Sequence, residues 1–323
     1  MTTLSPTTPS AIRIGISACL LGEKVRFDGG HKRDAYIAST LGQFFQWVPV
    51  CPEIDLGLGT PRESLRLLGT PEAPHLVASR SQQDYTEAMQ RYAAERLTAL
   101  SQLGLHGYIL KKDSPSCGME RVRVYSPDGM VQRQGRGLFA TALMQHLPLL
   151  PAEEEGRLQD MHLRENFITR VFAYYRWSEF VAVPPTPAAL VRFHTQHKCT
   201  LLAHSRPHYQ ALGRLVARAG ELPMPKLTQA YGSTFMEGLK IKATPRKHAN
   251  VLYHLLGYLK KYLDADDKAE VVACIEAYRQ ELVPLVVPLT LFKHYFRRYP
   301  QPWVLEQTYF QPYPAELMLQ NHV

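Results

Sequence analysis

The chain has 323 residues, of which 45% are apolar and 20% are charged, a composition typical of a soluble globular protein. This length favours two domains over one. No apolar run approaches the roughly 20 residues of a membrane helix, residues 1–10 lack the features of a signal peptide, and five cysteines are too few for a disulfide framework. We therefore expect a cytoplasmic protein that has no membrane association and a disordered tail over residues 1–10.

The first half of the chain alternates apolar runs with a helical pattern. Three short apolar runs predict buried strands: residues 11–21, 44–50 and 107–110. A helical repeat separates the last two, and "RVRVYSPDGMVQRQ" has the turn residues of a hairpin. Strands that alternate with helices favour a parallel sheet. We predict an open, mostly parallel, Rossmann-like α/β domain over residues 11–150.

A change of pattern follows this domain. Residues 148–157, "PLLPAEEEGR", have the prolines, charges and glycine of a boundary. Beyond them helical spacing dominates, which predicts an all-helical domain over residues 157–323. Residues 1–156 hold 16 basic and 16 acidic side chains, whereas residues 157–323 hold 21 basic and 13 acidic ones, the whole net charge of +8. This asymmetry favours a polyanionic partner for the second half, although a solvated basic surface gives the same pattern.

Three of the five cysteines follow predicted strands. Cys19 lies at the end of the first apolar run, Cys51 directly follows the second, and Cys117 lies in the loop that follows the third. Ligands of open α/β sheets bind at the carboxyl ends of the strands. Converging thiols select zinc, copper(I) or an iron–sulfur cluster, and three ligands leave one metal position open, as in catalytic sites. Their spacing matches no zinc ribbon or ferredoxin run, and three independent core thiols remain an alternative. Cys199 and Cys274 lie in predicted helices and read as core residues.

Two polar residues beside these cysteines suit acid–base chemistry. Glu53 lies two residues after Cys51, and Ser114 lies three residues before Cys117. A carboxylate at this position can act as a general acid or base, and a hydroxyl can position or protonate a substrate atom. The alternative is structural: Glu53 caps a helix and Ser114 caps its loop.

These motifs carry a family resemblance. "SACLLGEKVRFDGG", "VPVCPE" and "KKDSPSCG" resemble the three motifs of the thiouracil desulfidase (TudS) family. Downstream, "HLRENFITRVFAYYRW", "KHANVLYHLLGYLKK" and the final "PYPAELMLQN" resemble the helical domain of RudS-type fusions, which act on 4-thiouracil-type nucleotides, including 4-thiouridine in tRNA. Together these resemblances span nearly the whole chain.

The resemblance implies a cofactor and residue roles. It implies a 4Fe-4S cluster held by Cys19, Cys51 and Cys117, with one open iron that binds the thiocarbonyl sulfur. Glu53 would activate water or carry its proton, and Ser114 would assist proton transfer to the pyrimidine. Sulfur would leave as hydrosulfide without net electron transfer. Asp28, in "RFDGG", is a tentative substrate-binding residue, and a plain turn is the alternative there.

A tRNA substrate would give the helical domain an electrostatic role. The basic residues proposed to contact RNA phosphates are Arg164, Arg170, Lys240, Lys242, Arg246, Lys247, Lys260 and Lys261. Tyr174, Tyr175 and Trp177 could stack on bases, but aromatic residues at this spacing are more often core residues.

Three other functions remain open at this point. The enzyme could act on free thiouracil or thiouridine monophosphate, with the helical domain as an oligomerisation module. The protein could instead sense metal or redox state and bind nucleic acid without catalysis. A structural zinc protein is the third alternative. The sequence does not indicate the oligomeric state.

Overall fold

We describe residues 12–322 from a computed structural model. The predicted tail over residues 1–10 lies outside the described residues. The chain forms two compact units, Met1–Gln159 and Asp160–Val323. No helix among the described residues is long and apolar enough to cross a membrane.

The first unit contains eight strands and three α-helices among its described residues. The strands are β1 (Arg13–Ser17), β2 (Gln46–Val50), β3 (Leu65–Gly69), β4 (Pro74–Ala78), β5 (Gly107–Leu110), β6 (Val122–Tyr125), β7 (Val131–Gly135) and β8 (Ala152–Glu154). The helices are α1 (Pro52–Asp55), α2 (Thr86–Gln102) and α3 (Leu138–His146).

The main sheet of this unit is parallel throughout, in the order β2-β1-β5-β8. Its central strands are almost entirely buried, since Ile14 and Ile16 of β1 and Ile109 of β5 have no exposed surface. Near-continuous apolar strands are typical of parallel sheets covered on both faces. The prediction of a mostly parallel α/β domain is therefore confirmed.

A second sheet has the order β4-β3-β6-β7 and combines parallel and antiparallel pairs. The predicted hairpin is its β6–β7 pair, and Gly129 takes a positive φ of 83° in the connecting turn. Strands β3 and β4 were not predicted, because glycine and proline residues surround these short segments.

The segment that the sequence marked as a boundary belongs to the first unit. Residues 152–154 form β8, which pairs with β5 in parallel. The three glutamates of this segment, Glu153, Glu154 and Glu155, are buried rather than solvated. The division between the units falls a few residues later, after Gln159.

The second unit is helical, as predicted. Its helices are α4 (Met161–Ala182), α5 (Pro187–His204), α6 (Arg206–Ala217), α7 (Met224–Lys240), α8 (Pro245–Leu259), α9 (Ala265–Arg279), α10 (Val286–Arg298) and α11 (Pro302–Leu305). A side chain at the N-cap accepts a backbone hydrogen bond in five of them: Asp160, Thr186, Ser205, Thr244 and Asp264. Such caps satisfy otherwise unpaired amides at a helix start.

Aromatic residues fill much of the core of this unit. Trp177 of α4 is only 4% exposed and stacks on Tyr231 with ring centroids 5.5 Å apart. Phe193 packs edge-on against the same indole at 5.4 Å. Trp177 is therefore a core residue, and stacking on a nucleic-acid base is excluded for it by burial.

Candidate active site

The parallel sheet brings the three predicted cysteines to one cavity. Cys19 lies in the short 3-10 turn after β1, Cys51 immediately precedes α1 at the end of β2, and Cys117 lies in the loop after β5. Strand β1 pairs with both β2 and β5, so the three strand ends are neighbours. All three side chains line a cavity of about 450 Å³.

The thiols are largely withdrawn from water. Cys19 and Cys117 are 9% and 7% exposed, and Cys51 is half-buried. Burial raises the pKa of Cys19 to about 11, even though the ammonium of Lys111 acts in the opposite direction. Burial also raises the pKa of Cys51 and, most strongly, that of Cys117. Without a metal these groups are thiols, and a metal that binds them must displace their protons.

Glu53 lies in the same cavity, and both of its oxygens are hydrogen-bonded. The hydroxyl of Ser116 donates to Oε1 at 2.9 Å, and the Arg62 guanidinium donates to Oε2 through Nε at 3.2 Å and through Nη2. Arg62 is itself fixed, because Nη1 donates to the carbonyl oxygens of Val25 (3.0 Å) and Gly59 (2.8 Å). A guanidinium fork holds a carboxylate in one orientation. Oε2 therefore accepts two hydrogen bonds, whereas Oε1 accepts one and keeps a second lone pair for a proton or a water molecule.

Ser114 lines the cavity and also organises its own loop. Its Oγ accepts hydrogen bonds from the backbone amides of Ser116 (3.2 Å) and Cys117 (3.0 Å). The hydroxyl hydrogen is not used by either bond, so Ser114 can donate it elsewhere. The structure thus combines the two roles that the sequence left open, a loop cap and a hydroxyl in the cavity.

The buried glutamates at the end of β8 hold this loop from behind. Glu155 accepts from Lys111 Nζ at 2.6 Å and from the backbone amide of Lys112 at 2.7 Å. Glu154 accepts from the backbone amide of Met119 at 2.7 Å. Burial raises the pKa of Glu154 above its ordinary value. These carboxylates connect β8 to both ends of the loop that carries Ser114 and Cys117.

Close packing fixes the end of the same loop. A Cβ at Gly118 would stand 2.3 Å from Val122 Cγ2 and 2.8 Å from the Ser114 carbonyl oxygen. Any side chain there would push the loop away from β6. The loop is therefore held by a hydroxyl cap, by carboxylates and by a glycine contact, which orients Cys117 toward the cavity.

Asp28 lies apart from this constellation. Its Oδ1 accepts from the backbone amide of Gly30 at 3.0 Å and pairs with Arg26 Nε at 3.4 Å. The side chain is 49% exposed and does not line the cavity. Its contacts are those of a turn residue, so the tentative assignment to substrate binding does not fit its position.

The predicted phosphate contacts differ in exposure. Arg170 is 8% exposed, and a phosphate cannot approach a guanidinium buried in this way. Lys247 is partly committed, because its Nζ donates to the carbonyl oxygens of His204 (2.7 Å) and Lys242 (2.9 Å). Arg164 is half-buried. The exposed members of the set are Lys240, Lys242, Arg246, Lys260 and Lys261.

The donor set of the cavity consists of three thiols, and thiolates are ligands of soft metal ions and of iron–sulfur clusters. Within residues 12–322, no group of three His, Cys, Asp or Glu side chains is arranged to hold one metal ion. The ligands of a cubane surround a body several atoms wide, so they stand apart and do not meet at one point. Three thiols line one cavity with no histidine among its lining residues, a donor set whose chemistry suits such a cluster.

The sequence did not single out two residues of the site. Ser116 lies inside the motif "KKDSPSCG", in which, of the two serines, the sequence predicted a role for Ser114 alone. Arg62 lies between β2 and β3 in "GTPRES", which has no recognisable pattern. Only the pairing of this segment with Glu53 makes its role visible, and a single sequence carries no sign of that pairing.

Fold and site together define an α/β protein whose parallel strands deliver three thiols and an oriented carboxylate to one cavity. The model of the family "2-thiouracil desulfurase" matches residues 14–155, and that of the "protein of unknown function (DUF1722)" family matches residues 198–314. The chain belongs to the 2-thiouracil desulfurase family, and its second unit carries the DUF1722 region.

The chain covers most of the length of two curated relatives and of one solved structure. The uncharacterized protein YbgA of Escherichia coli (strain K12) is 32% identical over 158 residues, 49% of this chain and 94% of YbgA. The uncharacterized protein YbbK of Bacillus subtilis (strain 168) is 32% identical over 108 residues, 32% of this chain and 71% of YbbK. A solved structure, the 4Fe-4S-dependent thiouracil desulfidase TudS, is 31% identical, with 47% of this chain and 97% of that chain covered and a TM-score of 0.39.

Proposed function

We propose that the protein is an iron–sulfur-dependent desulfidase that converts 4-thiouridine in tRNA to uridine and releases hydrosulfide by hydrolysis. The observation that carries the proposal is the shared cavity of Cys19, Cys51 and Cys117 with Glu53. Membership of the 2-thiouracil desulfurase family supports the substrate class, a thiolated pyrimidine.

The three cysteines would hold a 4Fe-4S cluster and leave one iron without a protein ligand. Such an iron supplies a soft Lewis acid that polarises a carbon–sulfur bond. No histidine or further cysteine lines the cavity to close that position. Lys111, Arg26 and Arg62 line the same cavity, and their positive charges offset the negative charge of three thiolates.

Glu53 is the group that handles the water proton in this proposal. Arg62 occupies Oε2 through two N–H groups and Ser116 donates to Oε1, so the remaining lone pair of Oε1 points in a defined direction. A positioned general base contributes about 10²–10⁴-fold to a rate. The balance is simple: water supplies the carbonyl oxygen, and its two protons go to the leaving sulfur and to the proton-handling groups.

Ser114 is the second proton-handling group. Two backbone amides donate to its Oγ, which polarises the O–H bond and makes the hydroxyl a better donor. A donor at this position can serve the ring nitrogen or oxygen of the pyrimidine as its charge changes. Neither Glu53 nor Ser114 requires an electron donor, in keeping with a hydrolytic reaction.

The second unit supplies the reason to propose tRNA as the substrate. Residues 157–323 carry the whole net charge of +8, and exposed Lys240, Lys242 and Arg246 follow one another closely at the junction of α7 and α8. Phosphate neutralisation dominates the affinity of proteins for nucleic acids. A free base or mononucleotide would make little use of this charge.

The test is an anaerobic reaction with tRNA that contains 4-thiouridine. The protein is reconstituted with iron and sulfide, and loss of thiocarbonyl absorbance is followed while nucleosides are identified by mass spectrometry. Conversion to uridine that is lost in Glu53→Gln supports the proposal. Turnover of 4-thiouridine monophosphate with no turnover of tRNA would contradict it and favour the free nucleotide, and iron binding without any turnover would favour a sensor.

A further inference from the structure

The second unit contains an aromatic cleft outside every residue assigned so far. This cleft has a volume of about 400 Å³, and four rings line it: Tyr209, His254, Tyr258 and Trp303. Tyr258 and Trp303 meet edge to face with centroids 4.7 Å apart, and His254 lies 5.4 Å from Tyr258. Pockets of this size hold small planar ligands.

The polarity of the cleft restricts the ligand. Lys198 is its one charged lining residue, and no aspartate or glutamate is found among the side chains that form it. Glu306, three residues after Trp303, pairs with Arg192 at 3.6 Å. A lysine among these rings repels a cation and favours a ligand with negative charge. The combination fits a flat ring attached to an anionic group.

Further exposed aromatic residues lie at and beyond the end of α8. His254 and Tyr258 are four residues apart, so they lie on the same side of the helix, and Tyr262 follows in the turn after Leu259. Tyr262 stacks on Tyr299 at 5.3 Å with an interplanar angle of 19°. Tyr258 is 38% exposed and Tyr262 is 49% exposed, which distinguishes these rings from the buried aromatic core.

Cations accompany this exposed surface. Lys260 and Lys261 lie between the two exposed tyrosines in sequence, and Arg298 places its guanidinium 5.4 Å from the Tyr299 ring centroid. All three are exposed, and no carboxylate within 4 Å pairs with them in the part of the chain that the structure describes. Aromatic platforms beside unpaired cations are how proteins hold single-stranded nucleic acid: bases stack on the rings and phosphates meet the cations.

We propose that the aromatic cleft binds one unstacked base of the RNA substrate, with Lys260, Lys261 and Arg298 near the flanking phosphates. This inference rests on the proposed tRNA-directed function and deepens it. The base in the cleft is not the base that reacts, because the thiols line a cavity of the first unit. The cleft therefore acts as an anchor that favours RNA with an unpaired nucleotide in addition to the thiolated one.

The experiment measures tRNA affinity for Tyr258→Ala by fluorescence anisotropy in the full-length protein. The matched control is Tyr253→Ala, because Tyr253 lies on the same helix and is also 38% exposed but bonds to Glu276 and lies outside the cleft. Loss of one base–aromatic stack is expected to weaken binding about tenfold in Tyr258→Ala. Tyr253→Ala should bind tRNA as the wild type does, and both variants should desulfurate 4-thiouridine monophosphate at the wild-type rate.

A second variant protects the test against misfolding. Trp303 packs partly against the core, so Trp303→Ala could lose structure, whereas Trp303→Phe keeps a ring. Wild-type indole fluorescence should fall as tRNA binds, and that quenching should shrink in Trp303→Phe while the affinity stays within about threefold, since any aromatic face can stack. Thermal melting followed by circular dichroism verifies that the variants are folded.

The outcomes separate this inference from the proposed function. Tyr258→Ala that binds and desulfurates tRNA like the wild type would overturn the aromatic cleft alone. A wild-type protein that binds tRNA through Tyr258 but desulfurates only the mononucleotide would overturn the proposed substrate alone. A wild-type protein that neither binds nor desulfurates tRNA would overturn both.

Discussion

The two units use their side chains in opposite ways. In the first unit a buried parallel sheet collects Cys19, Cys51 and Cys117 from distant parts of the sequence into one cavity. In the second unit some residues predicted to bind RNA, such as Lys260, are exposed, whereas others, such as Arg170 and Trp177, are buried. Sheet topology therefore locates the reactive groups of the first unit, whereas exposure decides which residues of the second unit can bind a ligand.

The largest expected effect is that of replacing a cysteine, and one cysteine from each unit can be compared directly. Cys51→Ala should lose the iron–sulfur chromophore and all measurable desulfuration, because two thiols cannot retain the proposed cluster. Cys274→Ala is the matched control, since Cys274 is also a half-buried free thiol but lies in the helical unit. Iron content, the visible spectrum and turnover are measured anaerobically. A Cys274→Ala protein without iron would contradict the proposal that the cluster ligands lie in the first unit alone.

The carboxylate of the same cavity should show the next largest effect. Glu53→Gln keeps the size of the side chain but loses the base, and we expect kcat to fall by about 10³-fold with iron content unchanged. Glu72→Gln, at an exposed carboxylate of the same unit, should retain full activity. A Glu53→Gln protein that turns over at the wild-type rate would remove Glu53 from the reaction.

A half-buried carboxyl in the second unit should make the stability of that unit depend on pH. Tyr313 donates to Glu165 Oε1 at 2.7 Å, and His322 Nε2 lies 3.3 Å from Oε2. Burial raises the pKa of Glu165 to about 7, and burial lowers the pKa of His322, so the histidine gives little opposing charge.

The sign of the pH effect follows from that shift. Between pH 4.5 and about 7 the Glu165 carboxyl stays mostly protonated in the folded protein, whereas it is mostly ionised in the unfolded chain. The contribution of Glu165 is thus complete at low pH and is lost as pH rises toward the folded pKa near 7, by at most about 3 kcal/mol in the free energy of unfolding. Denaturant unfolding of Glu165→Gln should depend less on pH than that of the wild type. Glu237→Gln, at an exposed carboxylate, should follow the wild-type curve.

The sequence predicts some residues of the first unit's site and misses others, for a physical reason. The fold class and the meeting of Cys19, Cys51, Cys117 and Glu53 followed from strand ends and from short motifs, because parallel strands must end at the same edge of a sheet. The partners Arg62 and Ser116 could not be predicted, since their contacts join segments with no shared periodicity. The prolines, three glutamates and glycine of residues 148–157 predicted a domain boundary, and only the pairing of β8 with β5 shows why the glutamates are buried.

In the second unit the sequence identified helices but not exposure. Arg170 and Lys260 look equivalent as basic residues on helices, yet one is 8% exposed and the other lies at the surface. Helical periodicity assigns a residue to a face of its helix, but which faces become buried depends on packing between helices.

Salt dependence sharpens the role of exposed charge. If Lys260 and Lys261 each neutralise one phosphate, replacing both with glutamine should reduce the steepness of log affinity against log salt concentration by about 2. Over a fourfold rise in salt concentration the wild type would then lose about 16-fold more affinity than the variant. Arg123 and Arg133, exposed on the first unit, provide the matched pair. An equal change of slope in Arg123→Gln/Arg133→Gln would place phosphate binding on both units.

The smallest effect is expected at Ser114, where structure and reaction share one hydroxyl. Ser114→Ala removes the acceptor of two backbone amides, which should destabilise the first unit by about 1 kcal/mol, and it also removes a proton donor from the cavity. We expect kcat to fall about tenfold with KM unchanged, because the Cys117 loop keeps its support from Glu154 and Glu155. A lower melting temperature with unchanged kcat would leave Ser114 as a loop cap only. A fall in kcat with iron content unchanged would instead assign proton donation to this hydroxyl, because the two hydrogen bonds to the loop amides are lost in both outcomes.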